Sequence, residues 1–296
     1  MKAVTGPVLI TGSEGRIGRL MARGLRTRGL DVRTFDAVPG ADAIGDVRDL
    51  AALRAAARGV RSIVHLAGIA YDAPGRTGEV LDVNVGGTWN VLLAAEEAGV
   101  SRVVVASSIQ ALGIISAGPP RRLPFDDGFP ACPRDGYEIS KHLVEELCRL
   151  FTEQRGLSTV CLRPTLVTHP ELWYDGRPSA DADRSAFDEE SQRRIAELFS
   201  YIDAEDLTDA VTLALAARLG GFHALLIAAA DTHVTTPTAD LLARHYPGVP
   251  FEFRPGSAID PDDPYHALID CREAARVLGW RARIRRSRPA AAEVGT

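Results

Sequence analysis

Lysine is nearly missing from this chain. Of 34 basic residues only Lys2 and Lys141 are lysines, and the rest are arginines. Cysteine is scarce too: Cys132, Cys148, Cys161 and Cys271 have no C-x-x-C spacing and no histidine pattern nearby. They read as free thiols in a reducing cytoplasm, which excludes a disulfide framework and a zinc module and leaves no metal site expected. No apolar run reaches the roughly 20 residues of a membrane span. The N-terminus enters a strand-like run without the long apolar region of a signal peptide, so the expected location is the cytoplasm, away from membranes. Positive charge is not in excess either. A net charge of −5 and a pI of about 5.8 point to neither nucleic acid nor an anionic surface as partner. The one basic cluster, Arg281 to Arg288, reads as a solvated, arginine-biased tail.

What is present is an ordinary globular composition, 46% hydrophobic and 25% charged over 296 residues, enough for one large domain or a domain with an appended lobe. Its first half alternates short β-branched runs with Ala/Leu/Arg-rich segments, the pattern of an α/β protein with a parallel sheet and crossover helices. Strands are predicted at Pro7–Thr11, Asp31–Phe35, Ser62–Leu66, Arg102–Ala106, Ser158–Leu162 and Ala224–Ala228. Helices are predicted at Arg16–Arg28, Leu50–Arg58, Gly78–Ala98, Tyr137–Gln154, Asp188–Phe199, Ala204–Ala217 and Arg272–Leu278. The runs around Val64 and Val104 are nearly continuous in apolar residues, as strands covered on both faces are. Thr165 to Ala186 reads as loop, with Trp173 and Tyr174 in its middle.

Two motifs bear chemistry. Tyr137 and Lys141 stand at i and i+4 on one predicted helix, hence on one face. A compact ammonium retained against the arginine bias can lower the phenol's pKa towards neutrality, making Tyr137 a general acid/base. The second motif runs Thr11-Gly12-Ser13-Glu14-Gly15-Arg16-Ile17-Gly18, between the first strand and the first helix. Such glycines make a tight turn, admit a pyrophosphate close to the backbone, and pack helix on strand. Asp36, at the end of the second strand, is suited to the ribose hydroxyls of an adenosine and repels a 2′-phosphate, so NAD is expected over NADP. Arg16 and Arg33, each a candidate partner for a phosphate, pull the other way.

In this order the chain resembles the extended short-chain dehydrogenase/reductase family, the nucleotide-sugar epimerases, dehydratases and their relatives. The likeness rests on Thr11–Gly18, Asp36, Gly45–Asp49, His65-Leu66-Ala67-Gly68, Asn84–Thr88, Ala106-Ser107-Ser108, Tyr137–Lys141, Arg163-Pro164, Tyr201–Leu207 and Leu278-Gly279-Trp280. It implies a Rossmann-type doubly wound sheet with a small C-terminal substrate-binding lobe. The dinucleotide domain would span residues 1–164, with 201–230 returning to it, and the lobe 165–200 and 231–296. It also implies roles: Ser108 hydrogen-bonds the reacting oxygen, Tyr137 exchanges its proton, and Lys141 holds the nicotinamide ribose. The cofactor-binding set would be Gly12, Glu14, Gly15, Arg16, Ile17, Gly18, Asp36, Asp46, Val47, Leu66, Ala67, Gly68, Asn84, Ala106, Tyr137, Lys141 and Pro164. Asn84 is costly inside a helix, so a backbone-bonding role stands beside the cofactor role. Ser107 reads as structural.

Departures narrow the reaction. Where dehydratases of this family carry an Asp-Glu pair after the catalytic hydroxyl residue, this chain has Ile109 and Gln110, which cannot do acid/base work, so 4,6-dehydration is not expected. The segment from Pro164 to Asp203 is shorter than in nucleotide-sugar epimerases and is similar in that respect to the smaller members that oxidise free uronic acids, although those carry polar groups beside the catalytic serine where this chain has Ile109. The expected activity is NAD-dependent oxidation or epimerisation at a secondary alcohol of a sugar or nucleotide sugar. The alternatives are a reductase of a non-sugar metabolite and a non-catalytic nucleotide-binding regulator. Substrate contacts are expected from Ile69, Tyr71, Ser108, Ile109, Gln110, Thr165, Trp173 and Arg177, with the loop Thr165 to Arg177 as a cap, in a protein acting as a homodimer.

Overall fold

The computed structural model describes residues 6–71, 75–172 and 189–286, the side chains of 189–192 excepted. In chain order the elements are β1 (Val8–Thr11), α1 (Arg16–Thr27), β2 (Val32–Asp36), β3 (Ala43–Ile44), α2 (Leu50–Ala56), β4 (Ser62–His65), α3 (Thr77–Leu81), a π-helical turn at Asp82–Gly86, α4 (Gly87–Glu97) and β5 (Arg102–Ala106). A 3-10 turn at Ile109–Leu112, β6 (Phe125–Asp126), α5 (Gly136–Arg155), β7 (Ser158–Pro164), β8 (Leu166–Thr168), α6 (Glu189–Ala196) and β9 (Tyr201–Asp203) follow. The chain continues with α7 (Ala204–Ala216), β10 (Phe222–Ile227), α8 (Thr238–His245), β11 (Ile269–Asp270) and α9 (Arg272–Leu278).

Seven strands form one all-parallel sheet in the order β3-β2-β1-β4-β5-β7-β10. The order reverses between β1 and β4, the switch point of a doubly wound Rossmann-type sheet, where ligands bind beyond the strands' carboxyl ends. Alternation along each strand divides the core. Val8, Ile10, Val64, Val104, Val160 and Leu162 face α1 and α7. Leu9, Ile63, Val103, Val105 and Cys161 face α2, α4 and α5. Both faces are covered, which explains the apolar runs of β4 and β5.

Several expectations need correction. The helix predicted over Gly78–Ala98 is interrupted by the π-helical turn that contains Asn84. Part of the predicted loop, Leu166–Thr168, pairs with β9 as a small parallel ladder, and β6 pairs with β11. Nor are the arginines near the C-terminus a solvated tail as far as Arg286. Arg283 pairs with Asp209, Arg285 with Asp263 and Arg286 with Asp203, while the Arg283 and Ile284 N–H groups donate to Asp206 at 2.9 and 2.8 Å. Acids gathered from 203 to 263 make a strap of this segment. Among the described residues no helix is long and apolar enough to cross a membrane.

Arg163 on β7 lies between two carboxylates, the buried Glu145 at 2.7 Å and the largely covered Asp127 at 3.2 Å, and Ser107 donates to Glu145 at 2.6 Å. Asp127 also accepts from the Leu226 N–H. Burial outweighs the shared arginine and pushes the Asp127 carboxyl up to about 7. A carboxyl raised in the folded state contributes stability that is present below its unfolded value and lost as pH climbs through about 7. Asp127→Asn is therefore expected to gain stability relative to the unaltered chain between pH 5 and pH 8, by on the order of 2 kcal/mol. Melting temperatures of both proteins at the two pH values check this; a difference that does not change with pH contradicts it.

Candidate active site

The glycine loop leaves β1 through a turn only glycine fits. Gly12 has φ of +73°, and a Cβ there would lie 2.5 Å from the Ala67 nitrogen. A Cβ on Gly18 would lie 2.0 Å from the Gly12 carbonyl oxygen, so α1 is seated directly on the turn. Gly15 caps α1 with no side-chain hydrogen bond, and the first helical turn has no acid, which leaves its amino end open with its partial positive charge. Glu14 and Ile17 are half-buried, while Arg16 is exposed beside them. Asp36 stands at the end of β2, its carboxylate accepting from the Glu14 N–H at 2.8 Å and the Val38 N–H at 3.2 Å. Arg33 points elsewhere, donating to the Arg58 carbonyl at 3.0 Å. Farther along, Arg48 grips Asp46 at 2.6 Å and holds its carboxyl below the usual range, and Val47 packs under Gly87. Leu66, Ala67 and Gly68 leave β4 next to the loop. A cradle closed to any Cβ, an open helix end and a carboxylate at the tip of β2 together fit a dinucleotide.

The second half of the site lies beyond β5 and at the start of α5. Asp135 caps α5, accepting from the Glu138 N–H at 2.8 Å, and so fixes the turn that presents Tyr137. Tyr137 and Lys141 share a buried face, with Lys141 Nζ 5.8 Å from the phenol ring centre. Lys141 donates to the Ala106 carbonyl at 2.7 Å. Ser108 begins the 3-10 turn, accepts from the Gln110 N–H at 3.1 Å, and stands near enough to the Tyr137 hydroxyl to act on its pKa. The electrostatics differ from the expectation. Burial pushes the Tyr137 phenol up to about 12, opposed by the nearby Ser108 hydroxyl, and Lys141 does not bring it towards neutrality. Burial also pulls Lys141 down to about 8. At this depth desolvation outweighs the neighbouring charge.

Asn84 bonds backbone, as its helix position suggested. Its Oδ1 accepts from the Ile69 N–H at 2.7 Å, and its Nδ2 donates to the Ile69 carbonyl and to Ser140 Oγ. It thereby ties the loop after β4 to the helix of Tyr137. His65 connects Thr11 at 2.7 Å to Thr88 at 3.0 Å, and burial, helped by the Lys141 charge, pulls it down to about 3. It is a neutral core histidine.

Tyr137 opens on a cleft of about 560 Å³ lined by residues that include Tyr71, Gln110, Ile115, Asp135, Arg193 and Tyr246. Tyr71 and Gln110, two of the expected substrate residues, are among those that line it. Ile109 is not: it is 1% exposed and packs with Val104 and Leu162 in the core, because the 3-10 turn rotates it inward. Thr165 is buried, and Ile69 and Pro164 are half-buried at their strand ends. Trp173, Tyr174 and Arg177 lie outside the described residues. Arg193 also lines the cleft without having been expected there; its only signal was the opposite charge of Glu197 at i+4, which normally marks a solvated helix face.

The chain belongs to the NAD dependent epimerase/dehydratase family, whose model matches residues 8–228. It is 34% identical over 185 residues to sterol demethylase protein B of Methylococcus capsulatus, covering 58% of this chain and 53% of that one. It is 31% identical over 164 residues to the uronate dehydrogenase of Pseudomonas syringae pv. tomato, covering 53% and 58% respectively. The matches thus span little more than half the length of these curated relatives. A short-chain dehydrogenase/reductase superfamily protein from Agrobacterium tumefaciens, solved with bound NAD, superposes with a TM-score of 0.69 at 26% identity, covering 94% of this chain and 93% of that one.

Proposed function

We propose that this protein is an NAD-dependent oxidoreductase or epimerase acting at a secondary alcohol of a sugar or nucleotide sugar, with Tyr137 as general acid/base. The observation that carries the reading is the buried face shared by Tyr137 and Lys141, with Tyr137 opening on a cleft next to a dinucleotide cradle. Family membership and the NAD-bound relative support the cofactor, and the uronate dehydrogenase supports the sugar. When bound, NAD supplies the acceptor for the hydride leaving the carbinol carbon. Ser108 then hydrogen-bonds the alcohol oxygen, and Tyr137 takes its proton or returns it. Lys141, buried and one turn from the phenol, gives the cation that favours a phenolate once the site is filled, and holds the nicotinamide ribose. Ile115 and Ile195 on the cleft wall favour a second reading, a non-sugar alcohol or ketone. The two part in one experiment: purified protein is assayed for retained dinucleotide, then sugars and apolar alcohols are screened for net NAD reduction. An epimerase retains its cofactor and shows isomer without net reduction. A homodimer is part of the proposal, with exposed Trp89 and Leu143 on α4 and α5 as the apolar surface available to it.

Asp36 sets the cofactor preference in this reading. Asp36→Ser is expected to lose about 1.5–3 kcal/mol of NAD affinity, the scale of a hydrogen bond to a charged group, and to favour NADP relatively. Titration of both dinucleotides checks this, and equal affinity of the unaltered protein for the two contradicts it.

A further inference from the structure

One wall of the cleft beside Tyr137 hangs from the next residue in the chain. Ile115, Gly118, Pro119 and Pro120 line the cleft together with Tyr137. They belong to the outgoing arm of the loop that joins the 3-10 turn to α5. The neck of that loop is tight. The Cys132 N–H donates to the Leu112 carbonyl at 3.1 Å, and a Cβ on Gly113, at φ of +77°, would lie 2.2 Å from the Cys132 carbonyl oxygen. Its far end is tied to the segment after α8, with the Leu123 N–H donating to the Pro250 carbonyl at 2.7 Å and the Glu252 N–H to the Leu123 carbonyl at 3.0 Å. Between neck and far end the arm meets the carboxylate of Glu138, which is 0% exposed. Oε1 accepts from the Ile115 N–H at 3.1 Å and the Ser116 N–H at 3.2 Å. Oε2 accepts from the Ser116 hydroxyl and, on the returning arm, from the Arg134 N–H at 2.9 Å.

Four donors thus converge on two oxygens, a demand suited to an ionised carboxylate, which accepts on both oxygens and donates nothing. The ordinary task of a glutamate at the third position of a helix is a capping box, in which its side chain returns to the N–H of the cap residue. Asp135 does its half, accepting from the Glu138 N–H at 2.8 Å. The Glu138 side chain instead reaches past the cap to Arg134 and across to the wall. We propose that Glu138 is a positioning residue: it locks residues 115–120 to the helix that carries Tyr137, so that the cleft is already formed when substrate arrives. This rests on the oxidoreductase reading above. A wall held in advance spares the substrate the cost of ordering it. Loosening it removes binding that ground and transition states share, which raises KM and leaves kcat.

The test compares NAD-saturated Glu138→Gln and Ser116→Ala with the unaltered chain, by amide hydrogen exchange and by steady-state turnover of D-galactose, UDP-glucose and cyclohexanol, with NAD reduction and isomer formation both followed. Gln keeps the volume of Glu138 but sets an NH2 group among N–H donors. Ala removes one donor of the clamp without touching α5, and carries the test if Glu138→Gln does not fold. In Glu138→Gln, exchange at Ile115 and Ser116 is expected to be at least about ten-fold faster, with the rest of α5 and the sheet unchanged, and KM at least about ten-fold higher, the lower end for a hydrogen bond to a charged group. Ser116→Ala should show smaller changes of the same kind, and both variants should keep kcat and NAD affinity. A glutamate that serves only the fold would speed exchange throughout α5 and lower kcat at unchanged KM, by thinning the folded population. That pattern, or unchanged exchange at Ile115 and Ser116, or an unchanged KM, overturns the proposal. Failure of all three compounds to react with the unaltered chain overturns it differently, through the oxidoreductase reading on which it rests.

Discussion

Tyr137→Phe is expected to lower turnover by at least about 100-fold, the scale of a lost general acid/base, while melting temperature and NAD affinity stay close to those of the unaltered chain. The phenyl ring fills the same buried space, and the neighbouring Ser108 keeps its bond from the Gln110 N–H. Only the exchangeable proton is lost. A phenol at about 12 is protonated at rest, so the cation of Lys141 has the task of making a phenolate accessible when the site is filled. Lys141→Arg should accordingly be impaired as well. A planar fork cannot replace a compact ammonium buried against the Ala106 carbonyl at 2.7 Å. Steady-state rates with the best sugar, beside melting curves, check both variants; full activity in Lys141→Arg would remove the case for the ammonium.

Gly12→Ala is expected to abolish dinucleotide binding and to cost about 2–4 kcal/mol of stability. Two effects add at this position. A side chain at φ of +73° is strained, and its Cβ would fall 2.5 Å from the Ala67 nitrogen and 2.6 Å from the Ala67 Cα, backbone atoms at the end of β4 that cannot move without shifting the sheet. Gly29 separates the two. Its φ is +80° but nothing lies within 4 Å of a Cβ there, so Gly29→Ala should cost only about 1 kcal/mol and leave NAD binding intact. Melting curves and NAD titration of the two variants decide the matter, and equal losses would show that backbone strain alone sets the cost.

What was legible in the sequence had a local physical cause. The sheet strands could be read from unbroken β-branched runs, since burial on both faces permits nothing else at Val64 or Val104. Gly12 and Gly18 could be read because a tight strand–turn–helix needs them at that spacing. Tyr137 and Lys141 could be paired because four residues is one helical turn. The rest depended on what surrounds a residue, and spacing is silent about that. Ile109 follows Ser108 in the chain but turns into the core. The Tyr137 pKa answers more to burial than to the lysine one turn away. Arg193 stood in a predicted helix with nothing to mark it as part of a site, and its place on the cleft wall depends on how that helix packs. The ladders β6–β11 and β8–β9 join strands of two or three residues, too short to have a period of their own. The arginines at 283 to 286 found acids far earlier in the chain.

The most direct test of the central claim is a single-turnover experiment on NAD-saturated protein mixed with the sugar that binds it best. Reduced-nicotinamide absorbance and formation of product isomer would both be followed, in the unaltered chain and in Tyr137→Phe. The account predicts a rise in that absorbance, lasting for a dehydrogenase and transient for an epimerase, which Tyr137→Phe loses while still binding sugar and NAD. No rise and no isomer with any sugar, or an unchanged rate in Tyr137→Phe, would contradict it.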